Sequence, residues 1–182
     1  AARVRRIYNV LDYAIGEGMP LSFAGAGPLT ISNQHRAWLN TFIKYGWIST
    51  IAITDACCYH DGHDSLRRYK KRPVRELVPQ GRDREYRKAG VVRVYDAGFK
   101  EQVLFDQDKM ITAMLRRREF QHKMSGTEFR NLQGKYYAAL EEKNGVAPGL
   151  LSTCWRHDVP VFVGAPGDGS ALNAVTFATI ND

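Results

Sequence analysis

Three short apolar stretches in this chain each run straight into a turn of small and polar residues, and this arrangement constrains the fold more than any other feature. Residues 20–24 lead into residues 25–32, residues 48–54 into residues 54–61, and residues 159–163 into residues 164–170. The β-branched character of Ile48, Thr50, Ile51, Ile53 and Thr54 predicts a buried strand. Helical patterns separate the three strands, and strands that alternate with helices imply a parallel sheet with helical crossovers. The carboxyl ends of such strands share one edge, where open α/β sheets bind ligands. That edge is the expected site.

The helical patterns are explicit. Val4, Ile7, Tyr8, Leu11, Ala14 and Ile15 recur at helical spacing up to Gly16 and Gly18, which predicts an opening helix. Trp38, Leu39, Phe42, Ile43 and Tyr45 predict a second, capped by Ser32 or Asn33 and ended by Gly46. Residues 91–95 read as a further strand, and residues 106–120 as a helix carrying Met110, Ile111, Met114 and Leu115 on its apolar face. Ser125-Gly126-Thr127-Glu128 has the form of a capping box, which predicts a helix to about Lys143. Pro148 then opens a short helix through Trp155.

Charge is concentrated rather than spread. Of 26 Lys and Arg against 19 Asp and Glu, 11 basic and 3 acidic residues fall between Arg67 and Arg93. That window carries +8 of a total of +7, so the rest of the chain is nearly neutral. Only Tyr69 and Tyr86 interleave and no groove-reading motif accompanies the run, so it reads as a solvated surface segment. Nucleic-acid binding through it is the weaker alternative. No apolar run approaches the length of a bilayer span, and no secretory segment follows the basic start. Cys57, Cys58 and Cys154 are odd in number with two adjacent, so the cytoplasm is the expected compartment. The chain does not begin with Met, which implies residues in front of it.

Three groups of residues offer chemistry. Gly25-Ala26-Gly27 before a helix is either a phosphate-cradling loop or a plain tight turn, since Thr30 stands where a third glycine would complete the dinucleotide fingerprint. Cys57, Cys58, His60, Asp61, His63 and Asp64 are the densest metal-capable run. Tetrahedral zinc needs spaced ligand pairs that adjacent cysteines do not make, so no metal is expected. A cysteine nucleophile beside His60 is weighed against buried structural cysteine, and the latter is favoured. Asp168-Gly169-Ser170 supplies either a carboxylate for a ribose hydroxyl or substrate amine, or a helix cap.

Taken in order, four passages resemble the deoxyhypusine synthase family. Thr54-Asp55-Ala56-Cys57-Cys58-Tyr59-His60-Asp61 resembles its T-G-A-N-x-x-H-D turn, and Val92-Arg93-Val94-Tyr95-Asp96 its R-I-Y-D segment. Ser125-Gly126-Thr127-Glu128-Phe129 with Gly134-Lys135 resembles S-T-R-E-F followed by L-G-K. His157-Asp158-Val159-Pro160-Val161-Phe162 with Asp168-Gly169-Ser170 resembles H-x-[IV]-P-V-F and D-G-S. The resemblance implies a doubly wound, mostly parallel α/β sheet of Rossmann type that binds NAD, spanning residues 1–182 as one domain or as the amino-terminal portion of one.

It also implies a homotetramer or a hetero-oligomer, and transfer of an aminobutyl group from spermidine or another polyamine to a lysine of a translation-factor precursor. The NAD-contacting positions it marks are Gly25, Gly27 and Ser32 in the first loop, Thr54, Ala56 and His60 in the second turn, and Asp168, Gly169 and Ser170 in the third. Asp61 and Asn173 fall on the substrate side. Three departures stand out: Asp55 replaces a small residue and adds charge near the pyrophosphate, Cys57 replaces an asparagine, and Asn173 replaces an aspartate that pairs with the amine. The family's catalytic lysine lies beyond residue 182 in members roughly twice as long, and Lys100, Lys109, Lys123, Lys135 and Lys143 sit in no comparable turn. The alternative is a non-catalytic paralogue that assembles with an active synthase.

Overall fold

The computed structural model describes residues 2–66, 76–169 and 171. Its centre is a three-stranded parallel sheet in the order β1-β2-β6, with β1 at Leu21–Gly25, β2 at Ile48–Thr54 and β6 at Val161–Ala165. Phe23 pairs with Ile51 and Ile51 with Val161, so the three strands run in register to a common carboxyl edge. This is the parallel α/β arrangement expected from the alternation of strands and helices.

Among the described residues, six helices follow the opening one: α2 at His35–Lys44, α3 at Asp55–Asp61, α4 at Asp83–Lys88, α5 at Gln102–Leu115, α6 at Gly126–Asn144 and α7 at Leu150–Arg156. Leu39 and Ile43 of α2, and Leu150, Leu151 and Cys154 of α7, share one apolar cluster with Ile51, Ile53 and Val161 of the sheet. Burying such side chains stabilises the fold by roughly 1.5–3 kcal/mol each. A satellite cluster joins Tyr59 to Ile111, Met114, Leu115 and Phe120. A small antiparallel sheet of order β3-β5-β4 stands apart, from β3 at Glu76–Leu77, β4 at Val91–Val94 and β5 at Ala97–Lys100.

Several expectations are corrected in detail. The described residues cover one face of the parallel sheet: among them Ser22, Ala24, Ala52, Phe162 and Gly164 on the other face are exposed, so β2 alternates instead of being buried throughout. The opening helix α1 forms over Ala2–Gly16, yet Val4, Ile7 and Tyr8 of its apolar stripe are exposed and Ala14 is its one buried residue. The strand read at residues 91–95 is real but antiparallel, paired with β5 rather than with the central sheet. The helix read at 106–120 begins four residues earlier and ends at Leu115, because residues 118–120 form a separate 3-10 turn.

The caps divide the same way. Ser125 accepts from the Glu128 amide at 3.2 Å, as its motif predicts, while the Glu128 carboxylate turns to His122 at 3.1 Å. Gly145 closes that helix with a left-handed φ of 62°, a conformation open to glycine at little cost. Neither Ser32 nor Asn33 caps α2; Gln34 occupies that position, and the Ser32 hydroxyl donates to Leu29 O at 2.9 Å within the preceding turn.

Of the basic segment, residues 67–75 lie outside the described residues. In the rest, Arg93 pairs with Asp83 at 2.6 Å and Arg82 pairs with Glu85, so part of the charge is neutralised locally on an exposed surface. Among the described residues no helix is long and apolar enough to cross a membrane.

Candidate site at the carboxyl edge of the parallel sheet

The three strand-end turns meet on α3. Its first residue, Asp55, follows β2 directly, and the other two turns pack against it. On one side the Thr30 hydroxyl donates to Cys57 O at 2.7 Å and the Cys57 thiol donates to Gly27 O at 3.5 Å, which ties down the first loop. On the other side the turn after β6 lies so close that a Cβ added at Gly169 would come within 2.6 Å of the Asp55 carboxylate. Glycine at 169 is therefore a packing requirement. Gly27, Thr54, Ala56, Asp168 and Gly169, all expected at the site, are brought into one neighbourhood.

Toward the carboxyl ends of the strands, the small residues of the exposed sheet face leave a shallow cavity of about 430 Å³ lined by Ala24, Gly25, Ala26, Ala52, Ile53 and Gly164. Asp168 is exposed at the turn that follows β6. Ser32 lies in the same loop as Gly25 but spends its hydroxyl on a local turn. His60 points away along α3, where its Nδ1 meets His63 Nε2 at 2.8 Å beside the Phe99 ring. Ser170 and Asn173 lie outside the described residues.

Asp61, expected on the substrate side, is buried among the described residues. It is 1% exposed, and its two carboxylate oxygens accept from the Leu150 and Leu151 amides at 2.7 and 2.9 Å. His35 Nε2 stands 3.3 Å from the same carboxylate. Burial opposes ionisation here, but His35, Arg36 and the Leu150 amide outweigh it and hold the carboxyl below its ordinary range. Asp61 thus anchors the start of α7 beneath the site.

Next to it lies Glu141 of α6, also buried, which accepts from the Gly149 amide at 2.9 Å. Burial, then the charge of Asp61, push its carboxyl up to about 7.

Asp55 is the departure that matters most for an anionic ligand, and the structure turns its charge inward. The side chain is 0% exposed and pairs with Arg130 Nη2 of α6 at 2.8 Å. Burial raises the Asp55 carboxyl and Arg130 opposes that rise. Arg130 also donates to Gln133 Oε1 at 2.7 Å. Gln133 and Gln107 both donate to the Tyr137 hydroxyl, at 2.9 and 3.1 Å, and Gln107 donates back to Tyr59 O of α3 at 3.1 Å. This buried relay starts at the first residue of α3 and returns to its fifth. Arg130, Gln133 and Tyr137 were not anticipated, although their spacing of three and four residues places them on one helical face.

The cysteines resolve as structural. Cys57, Cys58 and Cys154 are buried and unbridged, and burial raises all three thiols. A thiol held protonated is a poor nucleophile. Among the described residues no group of three or more His, Cys, Asp or Glu side chains could hold a metal.

These features define an open-sheet α/β protein with its candidate site where the carboxyl ends of parallel strands converge. Residues 1–182 match the family described as deoxyhypusine synthase, and the chain belongs to that family. It is 31% identical to a deoxyhypusine synthase-like protein of Nostoc punctiforme over 98% of this chain and 45% of that relative. It is 30% identical to proteins of the same description from Nostoc sp. and Cyanothece sp., again over 98% of its own length and 46% and 44% of theirs. The chain therefore spans less than half the length of these relatives.

Proposed function

We propose that this chain supplies the NAD-contacting part of a deoxyhypusine-synthase-like transferase acting on a polyamine. The observation that carries the reading is the convergence of three strand-end turns on α3, at the strand ends where the sheet also carries a glycine- and alanine-lined cavity. NAD fits that setting. The cavity has no side chain larger than isoleucine in its lining, added Cβ atoms at Gly27 and Gly164 would meet nothing within 4 Å, and the one acidic residue inserted into the turn is turned inward.

In this reading Gly25, Gly27, Ala56 and Gly164 offer bare backbone to the dinucleotide. The Thr54 hydroxyl and the exposed Asp168 carboxylate are placed to take ribose or amide hydrogen bonds. NAD, when bound, supplies hydride acceptance. The family's chemistry then implies transfer of an aminobutyl group from spermidine to a lysine acceptor, with assembly into a tetramer or with a second chain. Asp168 also offers the cationic amine a carboxylate partner.

Equilibrium dialysis of NAD against the chain tests this. Saturable uptake that weakens about tenfold in Asp168→Ala is expected, since a lost hydrogen bond to a charged group costs about 1.5–3 kcal/mol. Absence of uptake would sink the reading.

A second reading, a non-catalytic subunit of an active synthase, draws on the lysines. Lys100 donates to Ala89 O at 3.2 Å and Lys135 pairs with Glu119 at 3.0 Å, so both are engaged away from the strand ends. Stimulation of a partner synthase by a variant of this chain that no longer binds NAD would select that reading.

A further inference from the structure

The buried pair at the start of α3 lies against the turn after β6, close to Gly169. Every element around it contributes to its state. Arg130 of α6 supplies the cation, the Ala171 amide donates to the carboxylate, and Asp168 of the β6 turn and Cys58 of α3 are titratable groups coupled to Asp55. The guanidinium has little freedom to leave, because Gln133 holds one of its nitrogens and the Phe129 ring lies 4.8 Å from its centre. Within a low-dielectric interior an uncompensated carboxylate would act on a nearby anion far more strongly than the same charge in water.

The geometry points to Arg130 as a positioning and specificity-determining residue for an anionic ligand at this edge: through its ion pair with Asp55 it cancels the negative charge at the first residue of α3, and so permits a dinucleotide phosphate to approach. This inference rests on the NAD reading above. It assigns work to two residues whose pairing spans 75 positions of the chain. Arg130 does not touch the ligand; it acts through Asp55 and through the relay that holds the start of α3.

A purely structural role and this one make opposite forecasts for the two halves of the pair. If the pair only holds the fold together, removing either partner loosens the turn and weakens binding. If its charge state sets the field at the turn, the two changes diverge. Arg130→Gln leaves a buried carboxylate beneath the ligand, whereas Asp55→Asn leaves an uncompensated guanidinium there.

The experiment is NAD titration by calorimetry on the whole chain and these two variants, at about pH 8 and about pH 5.5. Wild type is expected to bind with little change between the two. Arg130→Gln should bind about tenfold more weakly at the higher pH and regain affinity at lower pH as acid neutralises the lone Asp55 carboxyl. Asp55→Asn should bind as tightly as wild type or a few-fold more tightly at both.

If Arg130→Gln fails to fold, Arg130→Lys, which keeps the charge, should bind within about threefold of wild type, and Asp55→Asn still decides the sign. Equal binding by Arg130→Gln and wild type at the higher pH, or weakened binding by Asp55→Asn, overturns the inference and leaves the NAD reading standing. No NAD uptake by folded wild type overturns both.

Discussion

The two ends of α3 solve the same problem, a buried aspartate, in opposite ways. At the first turn Asp55 meets a side-chain cation brought from a distant helix, at 2.8 Å. At the last residue Asp61 meets two backbone amides of α7 and His35. The carboxyl of Asp61 is held below its ordinary range, and that of Asp55 is pushed above it. Against burial, His35 and then Arg36 do most to hold Asp61 low, and the amides of α7 fix where it sits; Asp55 has one backbone partner, the Ala171 amide, beside its guanidinium. The guanidinium partner of Asp55 can be removed by a single substitution, which makes that end tunable, and it is the tunable end that faces the candidate ligand edge.

The largest effect is expected from Asp61→Ala, which strips two buried amides of their acceptor and His35 of its ion-pair partner at once. A loss of about 3–5 kcal/mol, read as a lowered denaturant midpoint, follows from breaking a buried charged network. Arg130→Met should cost about 3 kcal/mol near neutral pH by leaving Asp55 unpaired, and less under mildly acid conditions where Asp55 becomes neutral. An equal cost at both pH values would erase the contrast between the two ends.

The pH dependence sharpens the comparison. Because Asp61 is held low in the folded state, its contribution is present above the usual aspartate pKa and is lost as acid protonates it. Glu141 acts with the reverse sign. Its folded value of about 7 lies above the ordinary 4.5, so folding takes up a proton and its contribution fades as pH rises between those values. Glu141→Gln should abolish that decline, worth on the order of 1–3 kcal/mol, in thermal melts taken across the window.

Smaller still is Ser125→Ala, expected to lower stability by about 1 kcal/mol through loss of the α6 cap, with no change in either aspartate.

The same contrast separates what was legible in the sequence from what was not. Strand β2 was readable to the residue because Ile51 and Ile53 carry a local signal of burial, and the Ser125 cap was readable because its partner is three residues away. The gathering of turns at one edge followed from the alternation of strands and helices. The inward turn of Asp55 was not readable, since its partner Arg130 is fixed by tertiary packing that no local pattern encodes. The burial of Asp61 was not readable for the same reason: the amides of α7 hold it, and a backbone donor leaves no mark in a sequence. The exposed stripe of α1 and the bare face of the sheet belong to the same class, because a helix pattern announces an apolar face without saying what covers it.

The account turns on the different charge environments at the two ends of α3, and carboxyl-carbon NMR titration of Asp55 and Asp61 in the wild-type chain tests it most directly. The two resonances should titrate on opposite sides of the ordinary aspartate value, Asp61 below it and Asp55 above. A shared midpoint at that ordinary value, or the reverse order, would contradict the account.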